Sequence, residues 1–109
     1  MHELGITRNI VAIVSEAAHG RKVSRVTLEI GALAGVMADA IAFCFETVAL
    51  GSALEGAALQ INQIPGRAAC NSCGAAFPAA TLFTACACGA RHLTWLAGQE
   101  LNIKSMEIL

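Results

Sequence analysis

The chain has 109 residues, of which 56% are hydrophobic and 14% are charged, and its formal net charge is −1 at pH 7. This composition predicts a compact folded chain and excludes a disordered protein. The near-neutral charge, without any run of basic residues, gives no support to electrostatic binding to nucleic acid or to an anionic membrane. We expect neither a secretory leader nor a membrane span, and therefore predict a cytoplasmic protein with reduced thiols.

The first half of the chain alternates helical and extended patterns. Apolar residues at helical spacing predict an amphipathic helix over residues 2–19, ended by Gly20. Its apolar stripe comprises Ile6, Ile10, Val11, Ile13, Val14, Ala17 and Ala18. Period-two alternation in RVTLEIG predicts a strand over residues 25–31 with one buried face. A second helix is predicted over residues 39–50, and a second strand over residues 58–65, where Pro65 and Gly66 end it.

The second half contains a loop with four cysteines, followed by short strands at residues 93–96 and 101–108. The inward side chains of the last strand are predicted to be Leu101, Ile103, Met106 and Ile108. This element order predicts an α+β fold, in which a small mixed three-stranded sheet carries two helices. A zinc-ribbon-like module is inserted before the last strand.

The four cysteines have the spacing of metal ligands. Cys70 and Cys73 form a Cys-x-x-Cys pair followed by Gly74, and Cys86 and Cys88 form a second pair after twelve intervening residues. In a cytosolic chain such pairs bind a metal more often than they form disulfides. Four thiolates close a tetrahedral coordination sphere, so we expect a structural Zn²⁺ site, although tetrahedral sulfur ligation also suits iron in a rubredoxin-like electron carrier.

The second cysteine pair is irregular, since it reads Cys-x-Cys. This shorter spacing leaves the fourth ligand open between Cys86 and His92, which follows Cys88 by four residues and carries an imidazole that also suits Zn²⁺. We favour Cys86 because four thiolates are already available within the loop.

The first residues, MHELG, offer a second candidate metal site. A histidine at position 2 is most simply a solvated side chain. Alternatively, the Met1 amine, the amide nitrogens of His2 and Glu3 and the His2 imidazole can close adjacent chelate rings around one ion. Such nitrogen ligands in a plane favour Ni(II) or Cu(II) over Zn(II). Glu3 can add a carboxylate to this ion or favour the amino end of the helix.

Five segments resemble the HypA/HybF family of nickel metallochaperones for hydrogenase maturation. They are MHELGIT, VTLEIGALAGV, AFCFETVALGSALEGAAL, the cysteine pairs and GQELNIKSMEI. The resemblance implies nickel at Met1, His2 and Glu3, and structural zinc at the four cysteines. The chain departs from the family at its second cysteine pair, because alignment on Gly89 places the expected first cysteine at Ala85 and displaces Cys86 by one residue.

The resemblance also implies partners. They are a GTPase of the HypB type and the large subunit of a [NiFe] hydrogenase, and a homodimer is compatible with it. The implied division is a nickel-binding α+β domain at residues 1–66 and 97–109 and a zinc-binding module at residues 67–96. No catalytic constellation indicates an enzyme. The alternative functions are a zinc-ribbon module that binds protein or nucleic acid and, behind it, the rubredoxin-like electron carrier.

Overall fold

The computed structural model of the protein describes residues 2–109. In this part of the chain it contains two helices and six strands. In chain order they are α1 (Glu3–Ala17), β1 (Val23–Gly31), α2 (Ala38–Ala49), β2 (Ala58–Ile64), β3 (Arg67–Cys70), β4 (Ala76–Pro78), β5 (Leu93–Ala97) and β6 (Leu101–Ile108). Strands β3 and β4 lie in the segment predicted as a cysteine loop.

The first sheet has the order β2-β1-β6, with β1 parallel to β2 and antiparallel to β6. The alternation predicted for β1 is observed, since Val26, Leu28 and Ile30 are buried while the residues between them are partly exposed. The two helices pack against each other and against the buried face of this sheet, where they complete one apolar core. We call α1, α2, β1, β2 and β6 the α/β layer. The predicted α+β class, with a mixed three-stranded sheet and two helices, is confirmed.

The second sheet has the order β4-β3-β5, with all neighbours antiparallel. We call these three strands and the loops between them the cysteine module. It is inserted between β2 and β6, as predicted, and the apolar core of the α/β layer includes none of its described residues. Its buried apolar residues are small: Ala68, Cys70, Ala79 and Cys86.

Three predicted inward residues, Ile13, Ala17 and Leu101, are exposed instead. Ile13 is 57% exposed and Leu101 is 40% exposed, because they line an open groove of about 520 Å³ between α1 and β6. In contrast, Thr7 is fully buried within α1, although the predicted apolar stripe does not include it. Its hydroxyl donates a hydrogen bond to the Glu3 carbonyl oxygen at 2.7 Å, which removes the cost of burying an unpaired polar group.

The molecule is elongated, with principal extents of 53 × 22 × 17 Å. Its radius of gyration is 17.0 Å, whereas a single globule of this length has a radius of gyration of about 13 Å. The α/β layer and the cysteine module therefore lie end to end. No helix among the described residues has the length and apolar character needed to cross a membrane.

Candidate metal centres

The first cysteine pair forms a tight turn at the end of β3. The backbone N–H of Cys70 donates to the Ala75 carbonyl oxygen at 2.8 Å, and the N–H of Gly74 donates back to the Cys70 carbonyl oxygen at 2.9 Å. Gly74 has a φ of 80°, which a glycine adopts without steric cost. The turn aims the N–H groups of Ser72 and Cys73 at the Cys70 sulfur, each at 3.4 Å.

The second cysteine pair repeats this turn with one residue fewer. The backbone N–H of Cys86 donates to the Ala90 carbonyl oxygen at 2.9 Å, and the N–H of Gly89 donates to the Cys86 carbonyl oxygen at 2.8 Å. Gly89 has a φ of 90°. Each of these hydrogen bonds therefore spans one residue less than its counterpart in the first turn. The shorter Cys-x-Cys spacing is accommodated within the turn itself.

The two turns bring the four sulfur atoms together. The Sγ atoms of Cys70 and Cys88 are 3.7 Å apart, and those of Cys73 and Cys86 are 3.6 Å apart. All four sulfurs lie within 4.8 Å of one another. Four sulfurs at about 2.3 Å from a tetrahedral zinc ion are about 3.8 Å apart, so this arrangement fits such an ion. The first cysteine of each pair is buried and the second is exposed.

The two buried thiols differ in acidity. Hydrogen bonds from the backbone N–H groups of Cys73 and Ser72 outweigh burial and lower the pKa of Cys70 to about 6. The backbone N–H of Cys88 also lowers the pKa of Cys86, but burial and the neighbouring thiols together raise it to about 12. A pKa of about 6 favours the Cys70 thiolate at neutral pH before any metal binds, whereas a metal ion must displace the Cys86 proton into solvent.

His92 lies beside this cluster without belonging to it. Within residues 2–109, the only group of three or more His, Cys, Asp or Glu side chains close enough to hold one ion comprises the four cysteines. The His92 side chain is exposed, and its carbonyl oxygen accepts a hydrogen bond from the Asn71 N–H at 3.0 Å. His92 therefore contributes its backbone to the arrangement of the first turn.

The second candidate site lies at the beginning of α1. Met1, the first of its predicted ligands, lies outside the described residues. His2 is exposed and occupies the N-cap position, where its carbonyl oxygen accepts a hydrogen bond from the Ile6 N–H at 3.1 Å. The His2 side chain makes no capping hydrogen bond to the helix. The first N–H groups of a helix also have no acceptor within that helix.

Glu3 connects the amino ends of the two helices, a contact that sequence patterns do not reveal. Its carboxylate accepts a hydrogen bond from the backbone N–H of Met37, the residue before α2, at 3.0 Å. This bond lowers the pKa of the Glu3 carboxyl. The contact crosses 34 residues of sequence. Together with the Thr7 hydroxyl on the Glu3 carbonyl oxygen, it fixes the first turn of α1 against α2.

The whole chain matches known proteins in sequence. A family model described as hydrogenase/urease nickel incorporation, metallochaperone, hypA matches residues 1–108. A hydrogenase maturation factor HypA from a Nostoc species is 54% identical over 108 residues, which cover 99% of this chain and 96% of that protein. A protein of the same name from Geobacter sulfurreducens is 46% identical over 109 residues, which cover 99% of each chain.

Solved structures also match along the full chain. The solution structure of the Ni metallochaperone HypA from Helicobacter pylori has a TM-score of 0.70 and 26% identity, covering 100% of this chain and 98% of that one. A second structure, described as the solution structure of HypA protein, has a TM-score of 0.73 and 26% identity, covering 100% and 97%. These matches confirm the resemblance drawn from the sequence. The relatives are named as maturation factors and a metallochaperone, not as enzymes.

Proposed function

The chain belongs to the HypA family of hydrogenase maturation factors, and from this premise we propose that it binds Ni(II) at its amino end and delivers the ion to the large subunit of a [NiFe] hydrogenase. The ligands are the Met1 amine, the amide nitrogens of His2 and Glu3, and the His2 imidazole. The exposed position of His2 at the start of α1 carries this proposal, because cargo must be accessible to be passed on.

The beginning of a helix suits this nitrogen site. The amide nitrogens there have no acceptor within the helix, so ligation of Ni(II) breaks no helical hydrogen bond. The positive end of the helix macrodipole favours loss of the amide protons. The deprotonated amides are negatively charged and neutralise part of the positive charge of Ni(II). The Glu3 carboxylate, held by the Met37 N–H, keeps the backbone of residue 3 in place.

We further propose that Cys70, Cys73, Cys86 and Cys88 hold a structural Zn²⁺ ion. The sulfur separations support this assignment, and they support Cys86 over His92 as the fourth ligand. Four protein ligands leave no position for substrate, so the ion maintains the fold of the cysteine module. In this scheme residues 67–96 form the zinc-binding module, and residues 1–66 and 97–109 form the nickel-binding domain.

Nickel transfer requires partners of matching chemistry. We propose that the protein acts in the cytoplasm with a HypB-type GTPase, which accompanies the transfer, and that the hydrogenase large subunit accepts the ion. An exposed chelate at the end of a chain can be approached from several sides, so an acceptor can displace one nitrogen ligand at a time.

The test compares two histidines on the same helical segment. His2→Asn should abolish tight Ni(II) binding in calorimetric titrations of zinc-loaded, untagged protein. His19→Asn, at the other end of α1, should leave nickel affinity and stoichiometry unchanged. Asparagine is a favourable N-cap residue, so loss of binding in His2→Asn cannot arise from fraying of α1. It also tolerates the φ of 49° at His19.

Acetylation of the Met1 amine should weaken nickel binding as strongly as the His2→Asn substitution does, because an amide is a poor ligand unless it is deprotonated. Unchanged nickel affinity in both modified proteins would refute the amino-terminal site. Zinc content that is retained in both modified proteins would then favour the alternative function, a zinc-ribbon module that binds another macromolecule.

A further inference from the structure

Three backbone segments meet where the α/β layer adjoins the cysteine module. The chain passes into the module through Pro65 and Gly66 and returns from it through Gly98 and Gln99. A third segment, Ala32 and Leu33, follows β1 and lies against both connections. We call Leu33, Gly66 and Gly98 the joint.

Paired glycines in a connection between two folded parts usually make it flexible, but the joint leaves no free space. A Cβ atom at Gly66 would overlap with the Ala79 carbonyl oxygen and lie 2.7 Å from Cδ1 of Leu33. A Cβ atom at Gly98 would lie 2.6 Å from the Gly66 Cα. Both glycines are buried, and Gly98 has a φ of 112°. The glycines therefore allow close backbone approach rather than bending.

Leu33 fills the space between the two connections. Its side chain is 8% exposed and lies outside the apolar core of the α/β layer. Its Cδ1 atom would be 3.1 Å from a Cβ atom at Gly98, a separation that places it in contact with both glycine backbones. Because Leu33 is not part of the apolar core found among the described residues, its burial stabilises the junction between the two parts.

Backbone hydrogen bonds tie the same segments together. The Leu33 N–H donates to the Gly98 carbonyl oxygen at 2.6 Å, and the Gly31 N–H donates to the Glu100 carbonyl oxygen at 2.8 Å. From the side of the module, the Ala79 N–H donates to the Gly66 carbonyl oxygen at 2.9 Å. The connection at Gly66 is thus bonded to the cysteine module, and the connection at Gly98 is bonded to the end of β1 and the segment after it.

We propose that the joint of Leu33, Gly66 and Gly98 is rigid and that the Leu33 side chain sets the orientation of the cysteine module relative to the α/β layer. Close-packed contacts resist small continuous movements, so the two parts tumble as one elongated body. Leu33 is accordingly a positioning residue, which presents the cysteine module and the amino end of α1 to a partner in one fixed arrangement.

Residual dipolar couplings of backbone N–H bonds test this directly in zinc-loaded, isotopically labelled protein. In the wild type, couplings from the α/β layer and from the cysteine module should fit one alignment tensor. In Leu33→Ala the two parts should require different tensors, with a smaller magnitude for the module. Leu33→Met, which retains most of the volume, should restore the single tensor. Leu50→Ala, at a leucine that is 63% exposed in the α/β layer, is the matched control and should resemble the wild type.

Gly66→Ala gives a second way to disturb the joint. The added methyl group should force the segments apart and change the orientation of the module, even where Leu33 is intact. Two different tensors in the wild type would overturn the proposal without any variant having to fold. A single unchanged tensor in a folded, zinc-containing Leu33→Ala protein would also overturn it, because the orientation would then not depend on Leu33.

Discussion

Two isoleucines, one in each helix, should differ sharply in their contribution to stability. Ile41 in α2 is completely buried, whereas Ile13 in α1 is 57% exposed at the groove beside β6. Ile41→Ala removes apolar groups from the core and leaves a cavity that rigid neighbours fill only in part. We expect this substitution to lower the free energy of unfolding by about 2–5 kcal/mol.

Ile13→Ala is the matched control, because it makes the same chemical change in the other helix of the same layer. The gain in helix propensity is below ~0.7 kcal/mol and applies at both sites. Since the Ile13 side chain is already in contact with water, we expect a change within about 0.5 kcal/mol. The difference between the two variants then measures burial alone.

Urea unfolding of zinc-loaded protein, followed by far-ultraviolet circular dichroism, compares the two variants. With an m-value of about 1–3 kcal/mol/M, a loss of about 2 kcal/mol lowers the urea concentration at the unfolding midpoint by roughly 0.7–2 M. The zinc content should be unchanged in both variants, because Ile41 lies in the core of the α/β layer and Ile13 lies at the groove between α1 and β6. Equal losses at the two positions would refute the assignment of Ile41 to the core and of Ile13 to the surface.

Three further predictions concern the cysteine cluster. Cys73→Ala should abolish zinc binding and make the loop between β4 and β5 sensitive to limited proteolysis while α1 and α2 persist, and an equally protected loop in zinc-free protein would contradict this. Cys86→Ala should lower zinc content measured by atomic emission, whereas His92→Ala should not; the reverse result would make His92 the ligand. The number of protons released per zinc should rise as the pH falls through the Cys70 pKa of about 6, because that thiol is protonated before metal binding only below it. Calorimetry in buffers of different ionisation enthalpy measures this number, and a constant value would show that Cys70 is not an acidic thiol.

Helical and strand periodicity in the sequence predicts α1, β1, α2, β2 and β6 to within two residues at each boundary, because each has one face in a continuous core. Strands β3 and β4 are missed for a physical reason. They span four and three residues, and Ala68 and Ala69 give β3 no contrast between a large apolar face and a polar one. Their pairing depends on partners that the local sequence does not specify.

The apolar stripe of α1 is correct in direction but too wide. Ile10, Val11 and Val14 enter the core, whereas Ile13 faces the groove that α1 and β6 leave between them. Periodicity defines the apolar face of a helix but not how closely a neighbouring edge strand approaches it. For the same reason, Leu101 alternates correctly with its neighbours in β6 and still lies partly in water.

The cysteine pairs could be identified from sequence, but the consequence of their unequal spacing could not. The single residue between Cys86 and Cys88 leaves open whether the sulfurs of the second pair are placed like those of the first. In the first turn, two backbone hydrogen bonds join Cys70 to Ala75 and to Gly74. In the second turn, the corresponding bonds join Cys86 to Ala90 and to Gly89, so each closes a loop that is one residue shorter. A tetrahedral ion responds to the positions of the sulfur atoms rather than to the number of residues between them. A Cys-x-Cys turn closed in this way can therefore place two sulfur atoms as a Cys-x-x-Cys turn does, and the shift of Cys86 by one residue leaves the four-sulfur cluster complete.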